Sequence, residues 1–307
     1  MPHPAHPRPT AADFDPELLR LFDQYVHGQL DRRGFLDRAA LFAAAAGTSA
    51  AGLLTALSPQ FAAAQVIKPD DARIRTEMLS FDSPQGHGRA RGLLAMPAGA
   101  AGGAAVRKLP AVLVVHENRG LNPHIEDIAR RLAVDGFLAF APDALFPLGG
   151  YPGDEDKART LFPQLDQAKT REDFVAATAL LKARAESNGR VGVVGFCYGG
   201  GMANYLATRL PDLAAAVPFY GNAPALDKVA QIKAKLLIHF ADVDERINAA
   251  WPAHEAALKA AGVPYEAQRY PGTQHGFNND TTPRFDEAAA RLAWGRTVAH
   301  FRATLGA

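Results

Sequence analysis

The sequence predicts an α/β domain: a mostly parallel central sheet with helices on both faces and an antiparallel hairpin at its N-terminal end. Three observations predict it. Short apolar runs such as "PAVLVVHE" and "RVGVVGF" have the composition of strands buried on both faces. These runs alternate with segments of helical spacing about 10–15 residues long, the pattern of crossover units in a parallel sheet. Glycines close the helical segments, as in "IEDIARRLAVDG" and "AAWPAHEAALKAAG".

Taken in order beyond Gln65, "RIRTEMLSFDSP" and "ARGLLAMPA" are extended segments separated by "QGHG" and read as the hairpin. A Gly/Ala-rich surface loop, "AGAAGGAAVRK", leads into "PAVLVVHE", the first parallel strand. Helix "IEDIARRLAVDG", strand "FLAFAPDAL", helix "REDFVAATALLKARAESNG" and strand "RVGVVGF" follow. Helix "MANYLATRL", strands "AAAVPFYG" and "AKLLIHFAD", helix "AAWPAHEAALKAAG" and strand "YEAQRYPG" complete the alternation. A helix from Phe285 to Leu305 ends it. No internal repeat or domain-sized linker interrupts residues 65–307, so they form one domain.

Composition narrows the function. With 33 basic and 32 acidic residues, a net charge of +1 and 48% hydrophobic residues, the chain offers no electrostatic case for nucleic acid or an anionic membrane. A single cysteine excludes an internal disulfide. No histidine pair has metal-ligand spacing and no dinucleotide fingerprint is present, so neither a metal nor an organic cofactor is expected.

Residues 1–64 differ in composition from the rest. "DRRGFLDRAALFAAAAGTSAAGLLTALSPQFAAAQ" sets Arg32-Arg33 before an uncharged Ala/Leu/Gly stretch, Ala39 to Leu57, and an Ala62-Ala63-Ala64 site. That order is the layout of an export signal, and Arg32-Arg33-x-Phe35-Leu36 resembles the twin-arginine type. The resemblance implies the twin-arginine export machinery as partner, cleavage after Ala64 and a periplasmic product. An amphipathic N-terminal helix and an uncleaved membrane anchor are the competing readings, the stretch being near bilayer-spanning length but only weakly hydrophobic.

The lone cysteine lies where strand "RVGVVGF" meets helix "MANYLATRL", in the frame Gly195-Phe196-Cys197-Tyr198-Gly199. This is G-x-S-x-G with sulfur for oxygen, the strained strand–turn–helix that lifts a nucleophile above the sheet, and it narrows the class to an α/β-hydrolase fold. A thiol needs a base, and the base an orienting acid. Of the four histidines downstream, His239 falls in a strand and His254 and His300 in helices; His275, in the loop of "YPGTQHGFNND", is the candidate base. Asp242 and Asp244 both follow the strand "AKLLIHFAD"; loop position favours Asp244, with Asp242 as a turn residue. The backbone amides of Tyr198 and Asn118 are the expected oxyanion donors.

Together "HENRG" at 116–120, "GFCYGG" at 195–200, "ADVDERI" at 241–247 and "QHGF" at 274–277 resemble the dienelactone hydrolase (carboxymethylenebutenolidase-like) family. The resemblance implies hydrolysis of lactone or ester bonds through a thioester, with Cys197 as nucleophile, His275 as base and Asp244 as its orienter. It further implies that Glu117 associates with the resting thiol and pairs with Arg119 after swinging away. The family's carboxylate-binding arginine just after the histidine has no counterpart: "HGFNNDTTPR" reaches Arg284 only nine residues on. Residues 149–169 read as a lid bearing Arg159 and Phe162, and Phe277 as apolar pocket surface. Uncharged lactones and short aryl esters are therefore expected to compete with carboxylated ones. A broad small-ester carboxylesterase, or a thiol redox or ligand-binding protein on the same fold, are the alternatives.

Overall fold

The computed structural model of the chain describes residues 9–100 and 108–306; most of the predicted Gly/Ala loop lies outside them. Eight strands form one sheet in the order β1-β2-β4-β3-β5-β6-β7-β8. They are β1 Ile74–Ser83, β2 Gly88–Pro97, β3 Leu109–Val115, β4 Leu138–Pro142, β5 Ser187–Phe196, β6 Ala215–Phe219, β7 Lys235–Val243 and β8 Tyr265–Gln274. The β1–β2 and β2–β4 pairings are antiparallel and the rest parallel. The predicted α/β-hydrolase fold with its antiparallel N-terminal hairpin is what the chain adopts.

The strands' double-sided hydrophobicity has a direct structural counterpart. Leu113 and Val115 of β3 join the core under α7 (Gln167–Ala183), α8 (Tyr198–Arg209) and α10 (Trp251–Ala261). Val112 and Val114 join the core under α5 (Pro123–Val134) and α11 (Glu287–Leu305). Alternate side chains of one strand thus feed opposite layers, which is why the run contains no polar residue.

Residues 16–64 fold into four further helices: α1 Pro16–Val26, α2 Arg32–Ala43, α3 Ala50–Leu57 and α4 Phe61–Ala64. Asp15, Asp31 and Ser49 cap the first three by accepting amide hydrogens. The uncharged Ala39–Leu57 stretch is divided between α2 and α3 by a turn with Gly47 at φ +63°. No described helix is long and apolar enough to cross a membrane. Leu18, Leu19, Phe22, Phe35, Leu53 and Leu57 form a third apolar cluster within this segment. Between β4 and α7 the predicted lid is partly helical, with α6 at Glu155–Leu161; α9, Glu245–Asn248, follows β7.

Candidate active site

Strand β5 delivers Cys197 to a sharp turn at the C-terminal edge of the sheet. Its backbone sits at φ 55°, one of two positive values among described non-glycine residues, the other being Tyr220. Such a conformation costs on the order of 1–3 kcal/mol and persists only where its surroundings impose it. Two glycines make the turn feasible: a Cβ on Gly195 would collide with the Gly199 carbonyl, and one on Gly199 with the Val115 carbonyl. Because Cys197 caps α8, the Tyr198 amide is among the first-turn donors without a helical acceptor. The helix dipole there favours negative charge. Asn118, following β3, lines a cavity together with Cys197 and Tyr198.

His275 follows β8 and is buried; its Nδ1 donates to Asp244 Oδ2 at 2.6 Å. Asp244 also caps α9 by accepting from the Ile247 amide at 3.4 Å, so its carboxylate is held from two sides. His275 Nε2 is buried with no hydrogen-bond partner among the described residues. Asp242 takes the turn role, accepting from the Gly272 amide at 3.1 Å. His239 is a core residue held by Tyr270 and Thr297. His254 is buried in α10, and His300 bonds the Lys235 carbonyl from α11.

A second histidine, absent from the sequence reading, also reaches the sulfur. His27 follows α1, and its Nε2 lies 3.4 Å from Cys197 Sγ. Its Nδ1 donates to the Asp23 carbonyl at 2.8 Å, with Asp23 Oδ2 at 3.3 Å. A ring nitrogen of each histidine and the sulfur all lie within 4.8 Å of one another. Burial alone would raise the thiol, but His275 and His27 together bring it down to about 6. Burial would lower the imidazoles; the Cys197 thiolate and the aspartates instead lift His275 to about 9 and His27 to about 10. The Arg246 guanidinium lies 3.3 Å from His27 Nε2, on the side away from the aspartate. The signal that could have found His27 is the amphipathic run "PELLRLFDQYV", whose Leu18, Leu19, Leu21, Phe22 and Tyr25 are all buried.

Other expected residues divide. Glu117 accepts from Asn279 Nδ2 at 2.9 Å, and among the described residues no hydrogen bond joins it to the thiol, whose partner is His27. Arg119, 7% exposed, bonds the carbonyls of Asn118 and Val26 and sits 3.8 Å from Glu155 rather than pairing with Glu117. Arg284 pairs with Asp23 at 3.0 Å. Phe277 is 0% exposed and packs against Tyr270, Tyr220 and Phe219, so it is core and not pocket surface; the left-handed turn at Gly276 (φ +87°) precedes it. Arg159 and Phe162 do line a cavity of about 250 Å³ over Cys197, joined by Val26 and His27 from the N-terminal segment. Arg246 and Asn222, not anticipated, line it too.

Residues 91–305 match the family model described as the dienelactone hydrolase family, and residues 6–44 a second one described as YqhI-like. An Escherichia coli protein named "Putative hydrolase fragment YghX" is 49% identical over 118 residues, 38% of this chain and 97% of that protein. A Salmonella typhi protein named "Putative carboxymethylenebutenolidase" is 34% identical over 63% of this chain and 77% of its own length. Among solved structures, a Klebsiella pneumoniae protein named "Putative Dienelactone Hydrolase" superposes with a TM-score of 0.64 at 28% identity, covering 74% of this chain and 98% of that one. The chain belongs to the dienelactone hydrolase family and is a hydrolase of ester or lactone bonds.

Proposed function

We propose that Cys197, His275 and Asp244 act as a nucleophile–base–orienter triad that opens small lactones or esters through a thioester. The observation that carries the reading is a strained-turn thiol beside an imidazole whose far nitrogen is locked onto a buried carboxylate. The Cys197 thiolate adds to the substrate carbonyl and the tetrahedral oxygen takes the negative charge. The Asn118 and Tyr198 amides receive that oxyanion. Collapse expels the leaving oxygen, which takes the proton of the His275 imidazolium. Neutral His275 then removes a proton from water, whose oxygen attacks the thioester; the acid departs and the thiolate and imidazolium are restored.

The cavity's size supports a small substrate, being below the ~300–1,000 Å³ of sites for drug-sized ligands. Arg159 and Arg246 on its wall supply the cations missing after His275, which supports acceptance of a carboxylated lactone. Intact-mass detection of a transient acyl adduct on Cys197, absent from Cys197→Ala, is the test. An undiminished Cys197→Ala enzyme would remove the reading.

A further inference from the structure

We infer that His27, carried over the site by the N-terminal helices, takes the proton of the Cys197 thiol in the resting enzyme and so holds the nucleophile ready as a thiolate. This rests on the reading of Cys197 as nucleophile. Two aspartate–imidazole pairs, Asp244–His275 and Asp23–His27, converge on one sulfur. In each, Nδ1–H is spent on the aspartate residue, through the Asp244 carboxylate or the Asp23 carbonyl, which leaves Nε2 as the basic nitrogen. At His27 that nitrogen is the one 3.4 Å from Sγ.

The contact is built in from the body of the domain. Asn118 Nδ2 and Arg119 both donate to the Val26 carbonyl, at 3.0 and 3.1 Å, fixing the residue before His27. Asp23 is pinned by Arg284, 8% exposed. Tyr25 and Arg32 meet Asp156, and the Gln60 amide donates to the Thr281 carbonyl at 2.8 Å. Without the segment the buried guanidinium of Arg284 would lose its carboxylate, an arrangement that is costly to bury. Where the resemblance implies Glu117 beside the resting thiol, the thiol's partner here is His27 and Glu117 accepts from Asn279.

The step moves one proton, from Sγ to His27 Nε2, leaving a thiolate and an imidazolium. Cys197 and Asp23 favour the imidazolium; Arg246 at 3.3 Å and the His275 ring at 4.8 Å between centroids oppose it. With its proton parked on His27, the thiolate regenerates each cycle while His275 alone exchanges protons with leaving group and water. The thiol's descent to about 6 accords with this.

The test titrates the thiolate by its ultraviolet absorbance in full-length wild type, His27→Gln and Asp23→Asn, with iodoacetamide alkylation rates at pH 7 and melting curves alongside. In His27→Gln the thiol should move upward, toward the ordinary cysteine value near 8.5, and alkylation at pH 7 should slow roughly tenfold as the thiolate fraction falls. Asp23→Asn should shift it the same way by less. A folded His27→Gln that titrates and alkylates like wild type overturns the inference; if that variant does not fold, the same outcome in Asp23→Asn does. A native enzyme whose intact mass lacks residues 1–64 overturns it as well. Failure of the nucleophile reading is separate: it shows as activity surviving Cys197→Ala.

Discussion

His27 and His275 meet edge to face, their ring centroids 4.8 Å apart and their planes at 80°, beside the only sulfur of a cysteine in the chain. One ring follows α1 and the other follows β8. The geometry sets how the site should titrate.

The pH dependence of kcat/KM should be bell-shaped. The thiol is held below its ordinary value, so the thiolate is present above about 6 and is lost as pH falls through it. The His275 imidazolium is held above its ordinary value, so it is present below about 9 and is lost as pH rises through it. Both coexist between these limits, and rates measured from pH 5 to 10 should rise through the first and fall through the second. A flat profile would show that neither group limits the reaction.

Removing members of the proposed triad should cost unequally. Cys197→Ala should lower kcat by roughly 10⁶-fold and Asp244→Asn by roughly 10⁴-fold, since an orienter leaves some base function behind. Asp242→Asn, a change in a turn residue, should stay within about threefold. Steady-state kinetics on a short aryl ester ranks the three, and equal losses at 242 and 244 would reassign the acid.

Substrate charge should be read by Arg246, which is exposed on the cavity rim and has no carboxylate partner among the described residues. A charge-assisted contact discounted for that exposure is worth about 1.4 kcal/mol, roughly tenfold. Arg246→Ala should therefore reduce kcat/KM for a carboxylated lactone about tenfold relative to a neutral ester of similar size. An unchanged ratio would point to Arg159, or to a pocket indifferent to charge.

The turn around the thiol should resist the smallest enlargement. Gly199→Ala places a methyl group against the Val115 carbonyl, a backbone atom that cannot step aside. A loss of about 1–3 kcal/mol is expected from overpacking, together with most of the activity because the Tyr198 amide moves with the turn. Urea unfolding and kinetics on the same preparation would show whether the two fall together.

The N-terminal cluster should be coupled to chemistry at a distance. Phe35 is 0% exposed within it and is not among the residues that line the cavity. Phe35→Ala removes about 3–5 kcal/mol of local packing, and the thiol's alkylation profile should shift as it does in His27→Gln. A profile identical to wild type would mean that His27 stays in place without its helical support.

The limits of sequence reading follow from distance along the chain. The turn at Cys197 is legible because its five residues carry the whole geometric demand. Asp244 and His275 are legible because each lies at the end of a strand at the same sheet edge, and the family resemblance selects Asp244 over the neighbouring Asp242. His27 is 170 positions from Cys197 and meets it only through the docking of a separate helical cluster; the amphipathic run before it signals that the helix docks, but not where. Phe277 misleads for a related reason: its neighbour Gly276 adopts φ +87°, and the direction in which a glycine turns the chain is not written in composition. Arg246 is not legible in the sequence because the cavity rim it stands on is shared with His27.

The pairing of Arg32 with Asp156 carries one more implication. Arg32 is the first residue of the pair that resembles an export signal, yet here it lies in α2 and is bonded to a residue of α6. Any partner that binds Arg32 must compete with Asp156 for its guanidinium, and His27 is only a few residues upstream. On the inference that His27 holds the thiol's proton, such competition would loosen the docking of the same helical segment that carries the imidazole, and would be felt at the sulfur.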